Sequence, residues 1–170
     1  MSAMNPTHLQ QFSLSGKLAI VTGGARGLGL EMVRGLAAAG ATVYLHGRDL
    51  TQMTDAIRAL GTQAGDIRPL RFELGDEAAV ARAIDALLAQ HGVIDILVNN
   101  ASVRDRRGLP DLDRAALRAL LEIDLIAPFD LARLLAPAMP AGGRIINISS
   151  IAGQIARSGD PAYTAAKGGL

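Results

Sequence analysis

The chain has 170 residues, 49% of them hydrophobic and only 3% aromatic, with a formal net charge of +1. That length and apolar content suit one domain with a core of Ala, Leu, Ile and Val, and they exclude an intrinsically disordered chain. The near-neutral charge without a long basic run speaks against nucleic acid as a partner, the absence of cysteine excludes disulfides, thiolate metal sites and a cysteine nucleophile, and no apolar run reaches a membrane span.

The N-terminal stretch MSAMNPTHLQQFSLSGK carries no apolar segment of the signal-peptide kind, so a cytoplasmic protein is expected. Residues 1–14 are read as an extension. From residue 15 onward two patterns alternate. Short apolar runs near 17–23, 41–47, 67–74, 94–100 and 143–149 predict buried strands. Between them, helical patterns fall at about 27–39, 49–60, 76–90 and 113–138, with another helix starting near 160. Asp49 followed by Gln52 predicts an N-cap. Asp76 and Glu77 suit the start of the next helix by charge. Gly40 and Gly61 suit helix C-termini.

This alternation predicts a doubly wound parallel sheet of the Rossmann type, covered by helices on both faces, over residues 15–170. Ligands of such sheets bind beyond the strands' carboxyl ends, where strand order reverses. The first strand there runs into TGGARGLG, and Gly23, Gly27 and Gly29 form a turn into the next helix. Glycine lets a pyrophosphate approach the backbone, and the helix start offers free N–H groups and the positive end of its dipole.

TGGARGLG, VNNA at 98–101, ISS at 148–150 and Tyr163-x-x-x-Lys167 occur together in one order, with Ser150 thirteen residues before Tyr163. In these motifs the chain resembles the short-chain dehydrogenase/reductase family from about Ser15 to its end. The resemblance implies an oxidoreductase that interconverts a secondary alcohol and a ketone with a nicotinamide cofactor. It implies that Gly23, Arg26, Gly27, Leu28 and Gly29 cradle the cofactor. Glu73 and Leu74 would bracket its adenine, and Asn100 and Ala101 would lie beside it. Asn99 would tie the strands together. No metal is expected.

At the end of the second strand, an acid would read the ribose hydroxyl of NAD and an arginine would accommodate the 2′-phosphate of NADP. The acidic position is Gly47, Arg48 follows it, and Arg26 sits in the glycine turn. NADP is therefore expected, with NAD as the alternative.

Tyr163 and Lys167 stand four residues apart, one helical turn, on a shared face. A free tyrosine has a pKa of about 10, so bringing it to about 7 needs roughly 4 kcal/mol of differential stabilisation. A lysine ammonium one turn away supplies part of that. The resemblance further implies that Lys167 binds the nicotinamide ribose and that Ser150 hydrogen-bonds the substrate oxygen. Where the family carries an asparagine whose backbone carbonyl serves a proton relay, this chain has Asp124. Pro128, four residues on, has no N–H to give that carbonyl, so a kink is expected there.

Arg104 and Arg106, with Arg107 and the single local acid Asp105, follow the fourth strand, and Arg157 lies between Ser150 and Tyr163. Arginines there could clamp a substrate carboxylate or phosphate. IDLIAPF, an arginine near 106, Arg157 and FSLSGK resemble the gluconate 5-dehydrogenase group, whose substrates are sugar acids. A 3-oxoacyl-carrier-protein reductase and a non-catalytic nucleotide-binding regulator are the alternatives. The chain stops three residues after Lys167, so it is expected to be part of a longer, homo-oligomeric protein whose next helix and strands hold the pair in place, with the fifth strand left here as an exposed apolar edge.

Overall fold

The computed structural model describes residues 10–61, 65–156 and 158–170. Five strands form one parallel sheet: β1 Leu18–Val21, β2 Thr42–Gly47, β3 Ile67–Arg71, β4 Ile96–Asn99 and β5 Arg144–Asn147. Their spatial order is β3-β2-β1-β4-β5. The helices are α1 Gly27–Ala38, α2 Leu50–Leu60, α3 Glu77–His91, α4 Arg114–Leu121, α5 Ala127–Leu135 and α6 Pro161–Gly169.

Successive residues of a strand face opposite sides of the sheet. Leu18, Ile20, Tyr44 and Leu97 pack with Val80 and Ile84 of α3 and Leu131 and Leu135 of α5. Ala19, Val21, Val43, Leu45, Ile96 and Val98 pack with Val33 and Ala37 of α1 and Met53 of α2. Both faces of the central strands are thus buried, which is why their sequences are continuously apolar. At the entrance to β1, Lys17 Nζ lies 2.8 Å from Asp95 Oδ1, and the Leu18 N–H donates to Asp95 Oδ2 at 2.9 Å. Burial pushes the Asp95 carboxyl up, but these two donors outweigh it and hold the group below its usual range.

The caps follow the sequence. Asp49 accepts from the N–H groups of Thr51 and Gln52, and Asp76 from that of Ala79. Each satisfies donors that a helix start leaves orphaned. Gly61 ends α2 with φ +77°, and Gly40 follows α1 with φ +102°.

The fifth apolar run forms β5 with all four residues exposed, as expected of an apolar strand left at an edge of the sheet. The helix expected over 113–138 is interrupted. Between α4 and α5, residues Glu122–Ile126 form a π turn, with the Ala127 N–H bonded to the Glu122 carbonyl. Pro128 cannot donate to the Asp124 carbonyl, so the regular ladder cannot continue there, and the backbone takes the wider turn.

Candidate active site

β1 is flanked by β2 on one side and β4 on the other, so the strand order reverses at its carboxyl end. A cleft of about 440 Å³ opens at that point. Gly23, Arg26, Gly27, Leu28 and Gly29 form one wall, and Gly47, Arg48, Glu73, Leu74, Asn100, Ala101, Ser102 and Val103 complete most of the remainder.

The glycine turn is packed as closely as backbone allows. Gly23 has φ +63°, and a Cβ there would stand 2.9 Å from the Ala101 Cα. A Cβ on Gly29 would overlap the Gly23 carbonyl oxygen. Side chains at these positions would close the cradle, so the turn fits a ligand that must approach the backbone itself.

Thr22 and Asn100 lock the two strand ends together. Thr22 Oγ1 accepts from the N–H groups of Asn100 and Ala101 at 2.9 and 3.0 Å. The Asn100 amide donates back to the carbonyls of Thr22 and Gly23 at 2.9 and 3.2 Å. Asn99 Nδ2 donates to Asn147 Oδ1 at 2.9 Å, joining β4 to β5.

His46 supports the turn from beneath. The Gly23 N–H donates to His46 Nδ1 at 3.4 Å, and His46 Nε2 lies 3.2 Å from the Phe72 carbonyl. Burial lowers the His46 pKa from 6.5 to about 4, against the opposing pull of the Phe72 carbonyl. The sequence reading singled out neither Thr22 nor His46. Their signal was positional: a polar residue at the end of each of the first two strands.

At the rim, Arg48 is 73% exposed, and its Nη1 lies 3.8 Å from Glu73 Oε2. Arg26 occupies the N-cap position of α1 and makes no side-chain cap bond. Gly47 brings no acid to the end of β2, and a Cβ there would meet Met53 Cγ at 3.0 Å.

A second cavity of about 260 Å³ is lined by Arg104, Ser150, Ile151, Ala152, Ile155, Ala156 and Tyr163. Ser150 starts the short 3₁₀ turn Ile151–Gly153, and its Oγ accepts from the Ala152 N–H at 3.1 Å. Pro161 starts α6 at a position where its missing N–H costs nothing. Tyr163 is half-buried, while Lys167, one turn on, is buried. Lys167 Nζ donates to the Ile148 carbonyl at 3.1 Å and lies 3.6 Å from Asp124 Oδ2.

Arg104 crosses the same cavity. Its Nε donates to Asp160 Oδ1 at 2.9 Å, its Nη2 to Asp160 Oδ2, and its guanidinium carbon sits 5.1 Å from the centre of the Tyr163 ring. Asp105 is therefore not the sole counter-charge of this arginine group. It pairs with Arg107, while Arg104 takes an acid 56 residues away. Arg106 is exposed and lines neither cavity. Arg157 lies outside the described residues.

Residues 17–170 match the family model described as short chain dehydrogenase. The chain belongs to the short-chain dehydrogenase family. It is 36% identical over 166 residues to the gluconate 5-dehydrogenase of Gluconobacter oxydans, covering 96% of this chain and 65% of that protein. It is 36% identical over 163 residues to the 2-dehydro-3-deoxy-D-gluconate 5-dehydrogenase of Formosa agariphila, covering 94% and 61%. A crystal structure of a gluconate 5-dehydrogenase from Burkholderia cenocepacia, in complex with NADP and tartrate, superposes with a TM-score of 0.86 at 35% identity, covering 95% of this chain and 64% of that one. The chain thus spans less than two thirds of the length of these family members.

Proposed function

We propose that the protein is an NADP(H)-dependent oxidoreductase that interconverts a secondary alcohol and a ketone on a sugar acid such as gluconate. One observation carries this: Ser150, Tyr163 and Arg104 converge on a single cavity beside a glycine cradle, and Lys167 is buried one helical turn from the tyrosine. The NADP complex and the gluconate dehydrogenases among the relatives support it.

In this proposal Gly23, Gly27, Leu28 and Gly29 hold the cofactor's phosphates at the start of α1. Arg26 and Arg48 meet the 2′-phosphate, Glu73 and Leu74 bracket the adenine, and Asn100 and Ala101 form the inner wall. When bound, the cofactor supplies or accepts the hydride. Ser150 orients the substrate oxygen. Tyr163 gives that oxygen its proton during reduction and takes it back during oxidation. Lys167 holds the nicotinamide ribose and supplies positive charge near the tyrosine. Arg104, fixed by Asp160, presents a guanidinium to the substrate carboxylate. We extend the proposal to residues 15–170 as one dinucleotide-binding domain of a cytoplasmic homo-oligomer, a dimer or tetramer.

A second substrate class has an observation of its own. Ile151 and Ile155 border the same cavity and are 73% and 64% exposed, which suits the apolar chain of a 3-oxoacyl thioester. NADPH oxidation followed with keto-sugar acids and with 3-oxoacyl thioesters separates the two. Turnover on the sugar acids supports the first, turnover on the thioesters alone the second, and NADPH binding without turnover on any ketone a regulatory protein.

A further inference from the structure

The segment that carries Ser150 touches Lys167 at three points. Lys167 Nζ donates to the Ile148 carbonyl at 3.1 Å, and Ser149 Oγ donates to the Lys167 carbonyl at 3.0 Å. The third point is Gly153, which ends the 3₁₀ turn Ile151–Gly153. A Cβ there would overlap the Lys167 carbonyl oxygen and stand 2.7 Å from its carbonyl carbon and 3.1 Å from the Gly168 nitrogen. These are backbone atoms, which cannot swing aside as the end of a side chain can. Only glycine at this position lets α6 lie so close. Ser149 and Ser150 are neighbours with different targets. Successive side chains of an extended chain point to opposite sides, and Ser150 is extended, with φ −152° and ψ 154°. Ser150 lines the smaller cavity beside Tyr163, while Ser149 reaches the helix that carries Tyr163 and Lys167.

We propose that Ser149 and Gly153 are positioning residues that seat the Lys167 carbonyl and so fix α6 in register with Ser150. Tyr163 and Lys167 stand one turn apart on that helix, so a shift of its backbone moves both side chains together. Ser150 stays behind, because its own hydroxyl is held by the Ala152 N–H within the turn. Gly153 sets how closely the two backbones approach, and Ser149 sets the point along the helix at which they meet. The bond to the Ile148 carbonyl cannot replace this seat. It holds only the end of the lysine side chain, whose flexible four-carbon stem can follow a displaced backbone. The effect of the seat on turnover rests on the proposed oxidoreductase function; the seat itself does not.

The test is NMR on the full-length protein carrying carbonyl-¹³C lysine and ¹⁵N glycine, labels that meet at the Lys167–Gly168 peptide, the single Lys–Gly pair of the 170 residues. Without cofactor or substrate, Ser149→Ala should move the Lys167 carbonyl ¹³C signal upfield, the direction of a lost hydrogen bond. Ser149→Thr, which keeps the hydroxyl, should leave it at the parent position. With NADPH and a keto-sugar acid, Ser149→Ala should lose about tenfold in kcat and Gly153→Ala about 100-fold, the latter being the scale of a misplacement of about 1 Å. KM for the keto acid should stay at the parent value in both, because Ser150 still orients the substrate oxygen. Ser149→Thr should recover most of the kcat. A parent-like carbonyl signal in Ser149→Ala would overturn the seat, whatever the turnover shows. A displaced signal with parent kcat in Ser149→Ala would overturn the positioning role. A displaced signal in a protein whose parent reduces no ketone would support the seat and remove the proposed function.

Discussion

The Gly23 N–H donates to Nδ1 of His46, so the histidine carries its ring proton on Nε2, where it faces the Phe72 carbonyl. Both ring nitrogens are engaged by the neutral form. A second proton on Nδ1 would confront a donor instead of accepting from it. Burial, which disfavours the charged ring, lowers the His46 pKa from 6.5 to about 4 against the opposing pull of the Phe72 carbonyl.

The sign of the pH effect follows. Below pH 6.5 the unfolded chain protonates this histidine and the folded one does not, so the contribution is complete above pH 6.5 and is lost as pH falls towards 4. At about 1.4 kcal/mol per pH unit, it amounts to about 3 kcal/mol. Denaturant midpoints between pH 7 and 4 should fall more steeply for the parent than for His46→Gln. Parallel slopes would contradict this assignment.

Arg48 and Glu73 pair at the cleft rim, so Arg48 must leave one acid to meet a phosphate. Replacing Arg48 by Ala should narrow the preference for NADPH over NADH by about 1–3 kcal/mol, and its exposure favours the lower end. Glu73→Gln should widen the preference by freeing the guanidinium. Dissociation constants for both dinucleotides decide it, and equal values in the parent would contradict NADP as the cofactor.

Gly29→Ala should destabilise the fold by about 1–3 kcal/mol, the usual cost of overpacking, because the new methyl would overlap the Gly23 carbonyl. It should also weaken NADPH binding, since that carbonyl belongs to the cradle. A parent-like Tm together with a parent-like Kd would show that the turn has more room than the structure gives it.

Asp160 holds Arg104 beside the Tyr163 ring. Asp160→Ala should release the guanidinium, and turnover on a sugar acid should fall by about 100-fold, the scale of a misplaced positioning group. Asp160→Glu should recover part of the loss. Steady-state kinetics with a carboxylate-bearing and a neutral ketone check the cause, because only the carboxylate substrate should lose much.

The glycine turn, the central strands and the Asp49 and Asp76 caps were legible in the sequence, because each is set by residues close together in the chain. The Arg104–Asp160 pair was not: its members lie 56 residues apart and meet only once the start of α6 packs beside the loop that follows β4. Pro128 announced a disturbance in the helix, but its form depended on the neighbouring backbone. The exposure of β5 was legible from strand order, because no further apolar run follows it in this sequence to cover that edge. His46 was missed because a buried histidine leaves no periodic trace.

The most direct test of the proposed function replaces Tyr163 by Phe in the full-length protein. NADPH consumption with a keto-sugar acid is then followed beside NADPH binding. The parent should turn over steadily. The variant should lose about 100-fold or more in rate while keeping its NADPH Kd, because the ring stays and only the proton-carrying hydroxyl is gone. Equal turnover in parent and variant, or NADPH binding by the parent with no ketone reduced, would contradict the assignment of Tyr163 as the proton donor of an oxidoreductase.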